Sequence, residues 1–361
     1  MTPLDAAQIA GGNHRHWIKT LRTGTVKTNF VQSSAGHVMG DACETVGESS
    51  IYRRLTVKPA MSGPNSLFVG QIGDWTWDAV TALCGTNVFS ATNASGAPTY
   101  LAFCYFHLRS SPTIHSAGLT FGDRLEAVST LFNFGSESIL TLHRIKKVGQ
   151  DEMLAQPIDL EEFYDLPRND CLYVETFNRW VARSREKSNQ NLIKSSPVDF
   201  RYAHLGSLPD RYSPRLACGY ARSNNTFHDT ESTAHVCEVD GFHTEYRIDI
   251  TRDINGVGLV YFAAYFSIID GALLKLWKHR GRSTQSFLNR VVLDHKLCYF
   301  GNADIDSLLR ITLRSWRKVS DPGHEVYNAV IQDCETTRVI AVSTMHVLSE
   351  AANMMASAES A

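Results

Sequence analysis

The residue types most able to hold a metal or attack a carbonyl are plentiful in this chain, yet they are not spaced to do either. Its eight cysteines (Cys43, Cys84, Cys104, Cys171, Cys218, Cys237, Cys298 and Cys334) include no close pair and no Cys-x-x-Cys knuckle. Neither a disulfide framework nor a zinc site is read from them, and they are expected as buried or idle thiols of a reducing compartment. The fourteen histidines form no ligand-spaced cluster. His107, His143 and His346 fall in strand-like runs, where a satisfied or surface imidazole is expected. There is no phosphate-cradling GxxxxGK[ST], no GxSxG elbow, no HExxH and no full dinucleotide fingerprint. Gly256-Val257-Gly258 is a lone GxG beside a helix start, where small residues allow close helix–strand packing. Any chemistry must then come from side chains and backbone dipoles, without metal or cofactor. Gln71 and Asp74 lie one to two turns inside an otherwise apolar helical run. Each either reaches a pocket or serves a surface or helix pair. Tyr100 opens a run of strand formers, and position alone makes it a half-buried packing tyrosine with a satisfied hydroxyl.

The elements that must position these residues occur twice. SLFVGQIGDWTWDAVTALCG (66–85) has helical apolar spacing and stops at Gly85; GVGLVYFAAYFSIIDGALLKLWKHRG (256–281) does the same and stops at Gly281. Strand-like runs follow each: 100–109, 120–134, 137–145 and 171–184 after the first, then 287–302, 308–319, 327–333 and 338–348 after the second. Asn65 opens one helical segment and Asn255 the other, and AFCYF (102–106) echoes KLCYF (296–300) at nearly the same offset. A helix that is apolar all round is buried when the following antiparallel sheet curls about it. The expected fold is therefore α+β, a double hotdog of two long helices each wrapped by an antiparallel β-sheet. Residues 51–184 are read as the first hotdog and 236–350 as the second, with a polar linker at 185–235. An N-terminal extension (1–50) and a C-terminal tail (351–361) lie outside them. Trp75 and Trp77 are read as core or pocket wall.

Charge excludes some partners. Thirty-five basic residues against thirty-seven acidic ones leave no footprint for nucleic acid. No apolar run approaches the ~20 residues that span a bilayer, and the first residues lack a secretory signal, so a cytoplasmic protein without a membrane partner is expected. A double hotdog already holds the paired unit that single-hotdog proteins reach by dimerising; a further homodimer is compatible with it and not required.

At GPNSLFVGQIGDWTWDAVTALCG (63–85) and APTYLAFCYFHLR (97–109) the sequence resembles the bifunctional acyltransferase/decarboxylase of the leinamycin polyketide pathway and its relatives. Similar stretches follow in the same order: LTFGDRL (119–125), ESILTLHRI (137–145), LYVETFNRWV (172–181), DINGVGLVYFAAYFS (253–267) and CYFGNADIDSLL (298–309). The resemblance implies a double hotdog acting on acyl thioesters of coenzyme A and an acyl carrier protein. It implies transfer of a methylmalonyl or malonyl group to a tyrosine, decarboxylation, and delivery of propionyl or acetyl to the carrier. The tyrosine falls at Tyr100. Phenol is a weak nucleophile, with an ordinary pKa of ~10, but its ester is a good acyl donor to a thiol. Decarboxylation leaves charge on the carbonyl oxygen, which helix-start N–H groups can stabilise. The candidate turns are Gly63-Pro64-Asn65-Ser66 and Asn255-Gly256, with Asn65 either orienting the carbonyl or capping its helix. Gln71 is included among the substrate-binding candidates.

Other classes stay open. A hotdog thioesterase or dehydratase would use Asp74 or Asp270, although no convincing histidine partner is visible. A non-catalytic carrier-protein-binding module would survive loss of the Tyr100 hydroxyl. Malonyl and methylmalonyl differ by one methyl group, worth only ~1–3 kcal/mol of discrimination.

Overall fold

The structure, a computed structural model, describes residues 42–63, 65–148, 156–184 and 188–349, the side chain of Asn65 excepted. An edge strand β1 (Ala42–Val46) leads into the first repeat: β2 (Ser50–Thr56), α1 (Asn65–Cys84), β3 (Tyr100–Arg109), β4 (Arg124–Asn133), β5 (Ser138–Lys147), a short α2 (Leu160–Tyr164) and β6 (Cys171–Arg183). The connection carries β7 (Leu192–Lys194) and α3 (Pro214–Asn224). The second repeat follows as β8 (His235–Arg247), α4 (Ala264–His279), a short α5 (Thr284–Leu288), β9 (Val291–Tyr299), β10 (Leu308–Lys318), β11 (His324–Asp333) and β12 (Val339–Leu348). One sheet holds all the strands in the order β1-β2-β4-β5-β6-β3-β9-β12-β11-β10-β8, with β7 on β6. The order reads alike from either end of the β3–β9 junction, so each half is a helix wrapped by five equivalent strands. This is the double hotdog. The AFCYF and KLCYF echo lies on β3 and β9, the two strands that join the halves, with Tyr105 opposite Cys298.

Both helices are buried because both are apolar on nearly every side. Phe68, Ile72, Trp75 and Val80 of α1, and Phe266, Ile269, Leu273 and Trp277 of α4, are all within 4% of complete burial. Each such large side chain contributes ~1.5–3 kcal/mol relative to exposure. Gly85 (φ +69°) and Gly281 (φ +71°) end the two helices in the left-handed conformation that glycine adopts without strain.

Three segments differ from the expectation. The apolar run at 256–281 is helical only from Ala264. Asn255 Oδ1 accepts from the N–H groups of Val257 and Leu259, and Gly258 has φ +77°, so the first eight residues form a closed loop instead. Part of the N-terminal extension joins the sheet, since β1 pairs with β2 from Ala42↔Arg54 to Val46↔Ser50; residues 1–41 lie outside the described residues, as does the tail from 350. The stretch read as a linker packs on the sheet: Leu208 and Ala221, with Phe163 of α2, cover Tyr105, Tyr173 and Phe177 on the face opposite the helices. Its apolar positions are too few and too scattered to show a period, but the exposed sheet face gives them somewhere to go.

The two repeats meet closely at Gly73. A Cβ built there falls 2.3 Å from Phe262 Cζ, and the Phe262 ring is held by stacking on Phe103 at 3.8 Å. Alanine would gain ~1 kcal/mol of helix propensity. The clash is with a fixed ring, and such overpacking typically costs ~1–3 kcal/mol, so it wins. Gly73→Ala should therefore lower the urea midpoint, whereas Gly271→Ala in α4, where nothing lies within 4 Å, should raise it. Equal effects at the two glycines would contradict this close approach.

Candidate active site

The seam between the repeats opens at one end. β3 pairs with β9 only from Tyr105 onward, and Cys104 sits where the β3–β6 register shifts, as a β-bulge does. The strand before that bulge, Tyr100 to Cys104, therefore has β6 on one edge and no strand on the other. A cavity of about 690 Å³ fills the space. Asp74 and Trp77 of α1 wall it, with Tyr100 to Cys104 of β3 and Arg179 and Val181 of β6. Further lining comes from the 255–262 loop, Tyr265 of α4, and Tyr299 to Asn302 at the end of β9 and beyond.

Tyr100 is half-buried in this wall, opposite Val181 on β6. The Arg183 guanidinium lies over its ring at 5.8 Å from the centroid. Arg183 is itself fixed by Asn189 Oδ1, which accepts from Nε at 3.2 Å and Nη2 at 3.0 Å, and by the Val257 carbonyl at 2.7 Å. Beyond Tyr100 the wall is aromatic. Trp77 donates to the Leu101 carbonyl at 3.0 Å and packs edge-on against Phe103 and Phe262. Trp75, by contrast, is core, packed on Phe68.

The sequence-derived candidates divide between two places. Tyr100, Asn255 and Gly256 share the seam cavity. Ser66 lies instead on a second cavity of about 570 Å³, formed by the start of α1 and the middle of α4. Tyr261 borders both, its hydroxyl 3.5 Å from the Gly70 carbonyl. Gly63 is an exposed turn residue with φ +117°, and neither it nor Gln71 lines either cavity. The Asn65 side chain and Pro64 lie outside the described residues. Tyr100 thus faces the entry of α4, not the entry of its own helix α1. Of the two candidate turns, Asn255-Gly256 shares the cavity with Tyr100, whereas Ser66 of the other lines the second cavity.

Charge is lopsided here. Arg179, Lys194, Arg222 and Arg338 line the cavity against Asp74 alone. Lys194 pairs with Glu137 at 3.0 Å, while the three arginines form no ion pair among the described residues. Asp74 has no hydrogen-bond or ion-pair partner there either, and burial, then the Asp78 charge, pushes its carboxyl above the usual range. Its counterpart Asp270, equally far ahead of the glycine that ends its helix, is held by Arg290 at 2.7 Å. Among the described residues no group of three or more His, Cys, Asp or Glu is arranged to hold a metal ion.

Sequence reasoning missed the arginines and the second-repeat tyrosines. Arg179, Val181 and Arg183 alternate on one face of β6, and that period-two pattern was the available signal. Tyr261, Tyr265 and Arg338 carry no local signal, because only the seam brings them to Tyr100's cavity.

The LnmK N-terminal Hot Dog Fold domain family matches residues 52–229. The chain matches no curated protein. Among solved structures it is similar to a protein described as an oleoyl thioesterase from Lactobacillus plantarum, with 8% identity, a TM-score of 0.50, and coverage of 83% of this chain and 96% of that one. It is also similar to an acyl-ACP thioesterase from Bacteroides thetaiotaomicron, with 7% identity, a TM-score of 0.49, and coverage of 83% and 98%. At such identity the first likeness speaks to the fold alone.

Proposed function

Because residues 52–229 belong to the LnmK N-terminal hot dog domain family, we propose that the chain acts on acyl thioesters, as an acyltransferase/decarboxylase with Tyr100 as nucleophile. The observation that carries this reading is Tyr100 in the wall of a cavity that holds three arginines with no ion pair among the described residues. Coenzyme A and phosphopantetheine are phosphate-bearing arms that guanidinium groups bind well. The Tyr100 oxygen attacks the thioester carbon of methylmalonyl-CoA or malonyl-CoA. The C–S bond breaks, and coenzyme A leaves with the phenolic proton. The C–C bond to the carboxylate then breaks, CO2 departs, and the electron pair forms an enolate that takes a proton from solvent at carbon. The thiol of an acyl carrier protein attacks the aryl ester and returns the proton to Tyr100. No step calls for a metal or cofactor. The aromatic wall of Trp77, Phe103 and Phe262 excludes water from the ester.

A hydrolytic reading also has a specific observation behind it, Asp74, which has no partner among the described residues and a raised pKa and is poised as a general base for water. Intact-mass spectrometry separates the two. Wild type with methylmalonyl-CoA and a phosphopantetheinylated carrier should give a propionyl mass on the carrier, and Tyr100→Phe should give none. Free coenzyme A with an unmodified carrier, lost in Asp74→Asn and kept in Tyr100→Phe, would establish hydrolysis instead.

A further inference from the structure

Whatever acyl chemistry occurs in the seam cavity, negative charge must develop on a carbonyl oxygen, and that oxygen needs donors. The helix entry that faces Tyr100 has few to offer. The N–H groups of Val257 and Leu259 go to Asn255 Oδ1, and that of Gly258 to the Asn255 carbonyl. Val260 N–H goes to Asn302 Oδ1, Tyr261 N–H to the Asp253 carbonyl and Ala264 N–H to the Tyr261 carbonyl. Six N–H groups of the loop and helix entry are thus engaged within the protein.

A buried side-chain donor of the wall stands unengaged among the described residues. Tyr265, in the first turn of α4, is 1% exposed and lines the cavity, yet its hydroxyl has no hydrogen-bond partner among the described residues. A buried hydroxyl without a partner is disfavoured, so a natural chain keeps one where something else supplies the acceptor. Its ring is fixed edge-on against Tyr299 at 5.2 Å, and the Tyr299 hydroxyl is already engaged with the Phe262 carbonyl at 3.1 Å. Arg338 lies on the same cavity with one Nη2 bond, to the Asn302 carbonyl at 2.9 Å, and an unpartnered buried Nε–H.

We propose that the Tyr265 hydroxyl, seconded by Arg338, donates to the acyl carbonyl oxygen and stabilises the oxyanion or enolate that forms there. The donor keeps its proton throughout; only hydrogen bonds form. Burial raises the Tyr265 phenol above its ordinary pKa, with Arg338 opposing, so it remains a neutral donor across the working range. Substrate entry parts the neighbouring wall side chains and supplies the acceptor. A donor fixed and desolvated in advance stabilises developing charge more than a ground-state carbonyl, so its loss falls on kcat.

This inference deepens the proposed acyl-transfer reading but is tested apart from it. Tyr265→Phe keeps the ring and removes only the unpartnered hydroxyl, so the variant should melt at or above the wild-type temperature while kcat for coenzyme A release drops roughly 100- to 1000-fold at near-constant KM. The direct readout is the infrared carbonyl stretch of bound [1-13C]propionyl-CoA. It should move to lower wavenumber on wild type and on Tyr100→Phe, and stay at its solution value on Tyr265→Phe. A shift that survives in Tyr265→Phe, or no shift on wild type, overturns the assignment. If the carrier is never acylated but the shift depends on Tyr265, the transfer reading fails and the donor role stands.

Discussion

Asp270→Ala is expected to lower unfolding stability by about 3–5 kcal/mol, while Asp74→Ala, at the matching place on the other helix, leaves stability at pH 7 unchanged or higher. The difference lies in what faces each carboxylate. Asp270 pairs with Arg290 at 2.7 Å, the two side chains being 18% and 9% exposed. The same guanidinium lies 3.6 Å from the Phe287 ring centroid and donates to the Phe287 carbonyl, so it cannot swing out to water. Without Asp270, Arg290 becomes a buried and uncompensated cation, the situation in which breaking a pair is most damaging. Asp74 has no such partner, and burial with the Asp78 charge raises its pKa. A carboxyl raised in the folded state stabilises it below the unfolded pKa, and that contribution is lost as pH rises through the folded value. Asp74 is exposed toward the cavity, so solvent screens this effect at pH 7 and alanine removes nothing the fold uses. Urea titrations of both variants decide the matter, and similar losses from the two would refute the distinction. The expected pattern also marks the repeats as unequal: the second has turned its helix acid into a structural ion pair, and the first has left its acid open to the cavity.

The sequence carried the halves well and the seam poorly. Apolar periodicity located α1 to within a residue, and strand-like runs found the eight strands that follow the two helices but not β8, because those patterns are set by burial within one repeat. The residues at 256–263 share the composition of α4 but not its backbone. They are apolar because they wall a cavity, which periodicity cannot distinguish from a helix face. Asn255, seen as a helix opener, closes a loop by accepting two of its N–H groups. Tyr100 and Asn65 belong to one repeat and were naturally read as one site. The described neighbour Ser66 lines a different cavity from Tyr100, because the antiparallel β3–β9 junction brings the entry of α4 to the first repeat's tyrosine. Donors such as Tyr265 and Arg338 come from residues 165 and 238 positions beyond Tyr100, a distance over which a sequence pattern holds no spatial information.

Acid should unfold this protein early, in a window where carboxylates play little part. His143 lies between α1 and the sheet with both ring nitrogens engaged, Nδ1 with Ser129 Oγ at 2.9 Å and Nε2 with Thr76 Oγ1 at 3.0 Å. Burial, then the Arg53 charge, pushes it down to about 3. His295, against Ser343 Oγ at 2.9 Å, is pushed to about 4 by burial although Asp270 and Asp294 oppose it. His346 also falls to about 4, mainly through burial. A histidine depressed in the folded state contributes stability above the unfolded pKa of ~6.5, and that stability is lost as pH falls toward the folded value, because the unfolded chain binds the extra proton. Between pH 6.5 and 5 each such site removes about 1.5 kcal/mol, so the three together remove about 5 kcal/mol. That is comparable with the whole stability of many domains, ~5–15 kcal/mol. Carboxylates held below their usual range, such as Asp123 and Asp333, begin to matter only as pH approaches ~4.5. The slope above pH 5 therefore reports histidines. His115, His228 and His324 are also held below their ordinary range, mainly by burial, and add to the slope. Urea midpoints at pH 6.5, 5.75 and 5.0 should fall steadily, and His143→Gln, which retains a donor and an acceptor for Ser129 and Thr76, should make the fall shallower by at most about one-third. A stability that stays flat across that window would mean that these imidazoles are not buried neutral, and the packing of α1 and α4 against the sheet would have to be looser than the structure has it.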